Sequence, residues 1–361
     1  MRYYIIAGEA SGDLHGSNLI KGLQAHDAHT TIRFWGGDEM EKVAGKAVKH
    51  IRDLAFMGFV EVIKHLPTIL KNISFCKKDM LDFRPDVVIL IDYPGFNFRL
   101  FKFLKQHSFK TIYYISPQLW AWKQSRVKKV REFVDRLYVI FPFEVEFYQK
   151  HGITAHYFGH PLLDALEVNK IVAREKIIAL LPGSRKQEIT YLLPEMVKMA
   201  KHFPAYHFVI AGMSTHGQVF YQNLIGDAKV KVEFDSTYAL LRKSSAALVT
   251  SGTATLETAL HFVPQVICYK SNYLSYRIAR WLVKGIKFIG IVNLIAGKKI
   301  VEELIQQDVN ETRLKAELAA ILDSPMRATI LKDYDELVEK LGNSGSSGRV
   351  AEDMVGWMRS L

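Results

Sequence analysis

Cysteine is nearly absent from this chain. Only Cys76 and Cys268 occur in 361 residues, and they lie far apart. That excludes a disulfide framework, a paired-cysteine metal site and a Cys-x-x-Cys redox motif. Long apolar runs are missing too; none reaches the roughly 20 residues that span a bilayer. The apolar start, Tyr3-Tyr4-Ile5-Ile6-Ala7, stops at Gly8-Glu9 and is too short for a secretory leader. A cytoplasmic protein with reduced thiols is expected. Neither G-x-G-x-x-G nor G-x-x-x-x-G-K-[ST] is present, so neither a nicotinamide fingerprint nor a nucleotide-hydrolysing P-loop is expected. Solenoid repeats, zinc-finger spacing and an aromatic RNA-binding signature are absent as well.

What is there is a globular composition, with 49% hydrophobic and 24% charged residues. The length suits two domains. Lysine and arginine outnumber aspartate and glutamate by 48 to 37, a net charge of +11. That excess favours an anionic partner, whether nucleic acid, anionic lipid or phosphorylated substrate.

Apolar runs alternate with helical patterns, the mark of parallel sheets covered by helices. The first half offers strands at Tyr3–Ala7, Ile32–Trp35, Val87–Ile91, Thr111–Ile115 and Leu137–Ile140. The second offers Ile177–Leu181, His207–Ala211, Val230–Phe234, Ala246–Thr250 and Gln265–Tyr269. A break is expected near Gly159-His160-Pro161, followed by a charged helical stretch over Leu162–Lys176. A turn rich in glycine and serine, Leu341–Arg349, precedes a last helix, Val350–Leu361. That helix is free to return to the first domain or to a second subunit.

Five strand ends carry candidate chemistry, since open parallel sheets bind ligands at the carboxyl ends of their strands. In Gly8-Glu9-Ala10-Ser11-Gly12-Asp13, glycines admit a ligand to the turn, and Ser11 and Asp13 suit sugar hydroxyls. The same residues also suit a plain turn capped by Ser11 or Asp13. Asp92 follows the apolar strand Val87–Ile91 and is a candidate general base, or a turn-former before Tyr93-Pro94-Gly95. Ser116–Trp122 sets two tryptophans and a proline after a strand, as a rigid wall or as core. Gly183-Ser184-Arg185 suits a diphosphate through backbone N–H groups and a cationic fork. Ser251-Gly252-Thr253-Ala254 opens a helix where an anion is favoured, and Glu257, one turn on, suits the two hydroxyls of a ribose. Together these imply a nucleotide donor on the second domain, an acceptor on the first, and displacement at a sugar anomeric carbon. Asp333-Tyr334-Asp335 lies in a charged helical stretch and reads as a solvated face. No metal or other cofactor is expected.

The stretch Val60–Lys78 places Val62, Leu66, Ile69 and Ile73 at helical spacing, with Ile63 and Leu70 widening the face and lysines beside it. An anionic membrane surface suits such a stripe. So does an ordinary helix covering the sheet.

The motifs Gly8–Asp13, Met57–Val62, Ile91–Asn97, Ser116–Trp122, Gly159-His160-Pro161, Leu181–Arg185 with Glu188, Ser251–Glu257 and Asn293–Gly297 stand in one order. That order resembles the lipid-A-disaccharide synthase family along nearly the whole chain. The resemblance implies a GT-B fold, an α/β architecture of two Rossmann-like domains facing across a cleft. Residues 1–162 would form the acceptor and membrane-surface domain, 163–340 the UDP-sugar domain, and 341–361 a crossover helix. It implies an inverting transfer from UDP-2,3-diacylglucosamine to 2,3-diacylglucosamine 1-phosphate (lipid X), giving the β-1,6 disaccharide 1-phosphate and UDP. The implied location is the cytoplasmic face of the inner membrane, peripherally bound, with no nucleic-acid partner and as a monomer or homodimer. By motif, Asp92 is the expected base, with Glu9, Ser11 and Asn97 lining the reacting site. Gly183, Ser184, Arg185, Ser251, Gly252, Thr253, Ala254, Glu257, Asn293, Glu303 and Gln306 are expected on the UDP side. Val62, Ile63, Leu66, Ile69 and Leu70 are the expected membrane contacts. Gly95 stands where the family pattern admits an acidic residue, which removes a possible extra carboxylate near Asp92.

Overall fold

The computed structural model describes residues 1–54, 66–121, 124–166, 174–272, 276–277, 287–322 and 324–361. The chain forms two compact units, one of Met1–Ala165 with Gly342–Leu361, the other of Leu166–Leu341. Each is built on one parallel sheet.

In the first unit the strands are β1 (Arg2–Ile6), β2 (Thr31–Gly36), β3 (Lys49–His50), β4 (Val87–Ile91), β5 (Lys110–Tyr114), β6 (Arg136–Val139) and β7 (Ala155–Tyr157). They lie in the order β3-β2-β1-β4-β5-β6-β7. Apolar residues fill both faces because helices cover both. Tyr4 and Ile6 of β1, with Val88 and Leu90 of β4, join the core on one side. Tyr3 and Ile5, with Val87, Ile89 and Ile91, join the core on the other. The register pairs Ile5 with Phe34 on one neighbour and with Ile89 on the other.

The second unit has β8 (Ile177–Leu181), β9 (His207–Gly212), β10 (Val230–Phe234), β11 (Ala246–Thr250), β12 (Gln265–Tyr269) and β13 (Glu303–Ile305), in the order β10-β9-β8-β11-β12-β13. In both sheets the strand order reverses once, between β1 and β4 and between β8 and β11. Such a reversal opens a crevice at the strands' carboxyl ends, where open α/β sheets take ligands.

All ten expected strands are present. β3, β7 and β13 were not expected, and with two or three residues each they leave no periodic signal.

The last helix, Ser346–Arg359, returns to the first unit and packs on the helix Ala10–His26. Val350, Ala351, Met354 and Val355 enter the core there. Asp353 forms a two-pronged pair with Arg136 and accepts the Tyr138 hydroxyl at 2.5 Å. Asp164 caps the helix start, accepting N–H bonds from Gly345, Ser346 and Ser347 at 2.6, 2.9 and 2.7 Å. The capping residue thus stands two positions before the chain enters the second unit, and the helix begins five residues after it leaves.

Candidate active site

At the reversal point of the first sheet, β1 runs into Gly8-Glu9 and β4 into Asp92-Tyr93. Glu9 is the N-cap residue of the helix Ala10–His26, and its side chain makes no capping bond. Asp92 and Tyr93 both hold left-handed backbone angles, with φ of 41° and 46°. That conformation costs free energy for a residue with a side chain, and bonds around the turn hold it. The Asp92 carbonyl accepts from the Tyr113 hydroxyl at 2.7 Å and from Asn97 Nδ2 at 2.8 Å. Its N–H reaches the Tyr114 carbonyl of β5. Tyr93 stacks on Phe96, and its ring also covers Gly8, where an added Cβ would lie 2.3 Å from ring atoms. Gly8 is therefore required by close approach.

Burial pushes the Asp92 carboxyl up to about 7, the negative charge of Glu9 adds to it, and a bond from the Tyr93 N–H partly opposes it. A carboxylate that ionises near neutrality is suited to take a proton from a hydroxyl. Asn97 is fully buried; its amide N–H holds Asp92, and its Oδ1 has no partner among the described residues. Ser11 lies exposed in the first turn of its helix.

Asp13 has a different task from the one its motif suggests. Its carboxylate accepts N–H bonds from Gly37, Glu39 and Met40 at 2.7 to 3.0 Å, capping the helix Asp38–Ala44. Its oxygens are spent on the fold and not on a sugar. The sequence reading missed Glu144. This carboxyl is wholly buried, and burial raises it to about 8. It accepts the N–H groups of Ile140 and Phe141 and the Trp120 indole N–H at 3.2 Å. Trp120 is thereby tied to the start of the helix Pro142–Gln149. The local signal was Pro142-Phe143-Glu144 after a strand, the pattern of a helix first turn. Trp122 lies outside the described residues.

At the reversal point of the second sheet a cavity of about 360 Å³ opens. Gly183, Ser184, Arg185 and Glu188 line it from the β8 side, and Ser251, Gly252, Thr253, Ala254 and Glu257 from the β11 side. Gly252 is the N-cap of the helix Thr253–Leu260 at φ 151°, an angle that side chains rarely adopt. No side chain caps this helix; its first two residues, Thr253 and Ala254, line the cavity, and the Thr255 N–H is taken by the Gly252 carbonyl. Arg185 stands 63% exposed and contacts Glu188 at 3.4 Å. A diphosphate would gain the helix start, the positive end of its dipole and one guanidinium. Ser251 Oγ donates to the Ile289 carbonyl at 2.8 Å, which leaves it an acceptor.

Asn293, Glu303 and Gln306 do not line this cavity. Asn293 is fully buried and spends its amide on Val301, Glu303 and Ile300. Glu303 accepts the N–H groups of Ile289 and Gly290 and the Asn293 amide. These two hold the segment whose Ile289 carbonyl takes Ser251. Among the described residues the pair therefore braces this segment behind the cavity wall. Gln306 bonds Ser271 and lines a separate hollow with Lys270 and Asn310.

The helix Leu66–Phe83 carries the apolar stripe read from the sequence. Ile73 is buried and Ile69 half-buried, both against the first unit's core. With Cys76 and Met80 they follow the stripe that covers the sheet, so helical spacing spends Ile69 on packing. Leu70 is exposed, as are Phe75 and Leu81 further along, with Lys71 and Lys78 beside them. Val62, Ile63 and the Leu66 side chain lie outside the described residues. No described helix is long and apolar enough to cross a membrane.

Among the described residues one group, Asp38, Glu41 and His50, has the spacing of a metal site. Arg52 already pairs with Asp38 at 2.7 Å and donates its N–H to His50, so we read an ion-pair cluster. Asp333 pairs with Lys298.

Two parallel sheets, each with a ligand-type crevice at its reversal point, define the class. A crystal structure described as the glycotransferase of kitacinnamycin superposes with a TM-score of 0.67 at 14% identity, covering 99% of this chain and 98% of that one. The Methanocaldococcus jannaschii UDP-GlcNAc 2-epimerase, solved with UDP-GlcNAc and UDP, gives 0.65 at 12% identity, covering 99% and 100%. The fold is GT-B, two Rossmann-like units in one chain. Sequence relatives then separate transferase from epimerase. Residues 3–352 match the family described as lipid-A-disaccharide synthetase. The lipid-A-disaccharide synthase of Geobacter metallireducens is 38% identical, over 97% of this chain and 95% of that protein. That of Syntrophus aciditrophicus is 40% identical, over 96% and 95%. The chain belongs to the lipid-A-disaccharide synthase family, glycosyltransferases of lipid A biosynthesis.

Proposed function

We propose that this enzyme transfers 2,3-diacylglucosamine from UDP to the 6-hydroxyl of 2,3-diacylglucosamine 1-phosphate. The products are the β-1,6 disaccharide 1-phosphate and UDP. Asp92 carries the reading, as a carboxylate buried enough to ionise near pH 7 at the strand-order reversal of the first sheet. In the ionised form it takes the hydroxyl proton as the acceptor oxygen attacks the anomeric carbon. The carbon–oxygen bond to the diphosphate breaks with inversion. Arg185 and the N–H groups opening the helix Thr253–Leu260 stabilise the charge that builds on the departing UDP. Glu257 holds the ribose. Asn97 keeps Asp92 in its strained turn, and Glu9 and Ser11 border the acceptor.

Both substrates are amphiphiles, so we place the enzyme on the cytoplasmic face of the inner membrane, as a monomer or homodimer. The net charge of +11 and the exposed Leu70, Phe75 and Leu81 beside Lys71 and Lys78 support an anionic membrane surface over nucleic acid. Asp92→Asn is the test of the mechanism. Turnover should fall by roughly 10²–10⁴, the usual contribution of a general base, while UDP binding measured by calorimetry stays unchanged. Near-normal turnover removes Asp92 from the base role.

A further inference from the structure

Glu257 does not stand alone in its cavity. Its Oε1 accepts the hydroxyl of Tyr238 at 2.9 Å. Tyr238 is the second residue of the helix Thr237–Lys243, which follows β10. It is not part of the cavity wall, although its neighbour Thr237 is. The Tyr238 ring packs against the imidazole of His261, with ring centres 5.3 Å apart. His261 Nδ1 lies 2.8 Å from the carbonyl oxygen of Glu257, an atom that only accepts, so this nitrogen carries the hydrogen. Glu257 is therefore held at both ends, at its carboxylate by Tyr238 and at its carbonyl by the imidazole that Tyr238 packs on. Among the described residues no group takes Oε2, which remains for a ligand hydroxyl.

We infer that Tyr238 is a positioning residue that fixes the Glu257 carboxylate for the ribose hydroxyls, and so makes this site select ribonucleotides over 2′-deoxyribonucleotides. The inference rests on the reading that Glu257 takes the ribose. A glutamate has three rotatable side-chain bonds, and freezing them costs free energy that a preformed hydrogen bond has already met. Burial raises the Glu257 carboxyl, and the Tyr238 hydroxyl opposes that rise. Without the hydroxyl the carboxylate is freer to turn away and less well matched to two adjacent hydroxyls. A nucleotide lacking the 2′-hydroxyl gains less from the aligned carboxylate, so it loses less when alignment is lost.

The test compares UDP with 2′-deoxy-UDP by calorimetry on the full chain, in wild type, Tyr238→Phe, Glu257→Ala and the double variant. Wild type should bind UDP at least tenfold more tightly than 2′-deoxy-UDP, about the worth of one hydrogen bond to a charged group. Tyr238→Phe keeps the ring on His261 and should weaken UDP about tenfold while leaving 2′-deoxy-UDP nearly unchanged. In the Glu257→Ala background it should add nothing. Equal weakening of both nucleotides makes Tyr238 a structural residue and overturns the inference, as does an unchanged preference. If Glu257→Ala removes the preference and Tyr238→Phe does not, the Tyr238 inference alone fails. If wild type shows no preference, or does not bind UDP, the ribose reading fails with it.

Discussion

Replacing Asp92 by asparagine should make the protein more stable as well as inactive, and the gain should depend on pH. Asp92 ionises at about 7 in the fold against 3.8 for a free aspartate, chiefly because it is buried. Below pH 4 the carboxyl is neutral in both states, and burial costs nothing extra. Between pH 4 and 7 the unfolded chain releases the proton while the folded protein keeps it, so stability falls as pH rises. Above pH 7 both states are ionised and the cost is constant. At about 1.4 kcal/mol per pH unit, the cost is about 1.5 kcal/mol at pH 5 and about 4 kcal/mol at pH 8. Asparagine carries no charge, is close in shape, and tolerates the left-handed backbone at this position. Urea denaturation of both proteins at pH 5 and pH 8 measures the difference. The Asp92 charge also helps to raise the Glu144 carboxyl, so its removal relieves Glu144 as well and adds to the gain at high pH. An advantage for Asp92→Asn that grows with pH is the expected result. A difference that is flat with pH, or an asparagine variant less stable at pH 8, refutes the argument. The kinetic counterpart is a wild-type kcat/KM that rises about tenfold per pH unit below 7 and then levels.

Removal of Asp164 takes away the acceptor for three N–H groups at the start of the last helix. Asp164→Ala should cost about 2 kcal/mol and lower the melting temperature by roughly 4–8 °C in differential scanning calorimetry; an unchanged melting temperature contradicts the latch. Arg185→Ala should weaken UDP by roughly 10–100-fold, the range for a charge-assisted bond to phosphate; calorimetry showing unchanged UDP affinity excludes Arg185 from the diphosphate site. Leu70→Ser with Leu81→Ser should reduce binding to vesicles containing anionic lipid and leave thermal stability within about 0.5 kcal/mol, since both side chains are exposed. Unfolding of that variant would show that the face is core, and unchanged vesicle sedimentation would show that the membrane lies elsewhere.

Much of the fold was legible in the sequence because fully buried strands are written as uninterrupted apolar runs. Val87–Ile91 and Ile177–Leu181 are each buried at every position. The edge strands Lys49–His50 and Ala155–Tyr157 are too short and too mixed to register. Residues at strand ends were legible as a set, since a glycine, a carboxylate or an arginine directly after an apolar run has few structural duties. Their individual tasks were not. Asp13, Asn293 and Glu303 have the chemistry of ligand contacts, yet each satisfies backbone N–H groups from segments distant in sequence. Nothing local distinguishes such a carboxylate or amide from one that faces a substrate. Helical spacing likewise marked an amphipathic stretch over Val60–Lys78, part of which lies in the helix Leu66–Phe83, but did not separate a sheet-covering face from an outward one. Ile69 turns toward the sheet while Leu70, one position on, turns outward. Tyr238 carried no signal at all, because its partner Glu257 is reached only through the packing of two helices.

The most direct test of the central claim is a product assay. Purified protein is mixed with UDP-2,3-diacylglucosamine and 2,3-diacylglucosamine 1-phosphate, and the lipids are read by mass spectrometry. The expected result is a tetraacyl disaccharide 1-phosphate with one equivalent of UDP, absent when either substrate is withheld and formed roughly 10²–10⁴ more slowly when Asp92 is asparagine. Release of UDP with no disaccharide, or no reaction with both substrates present, would contradict the account.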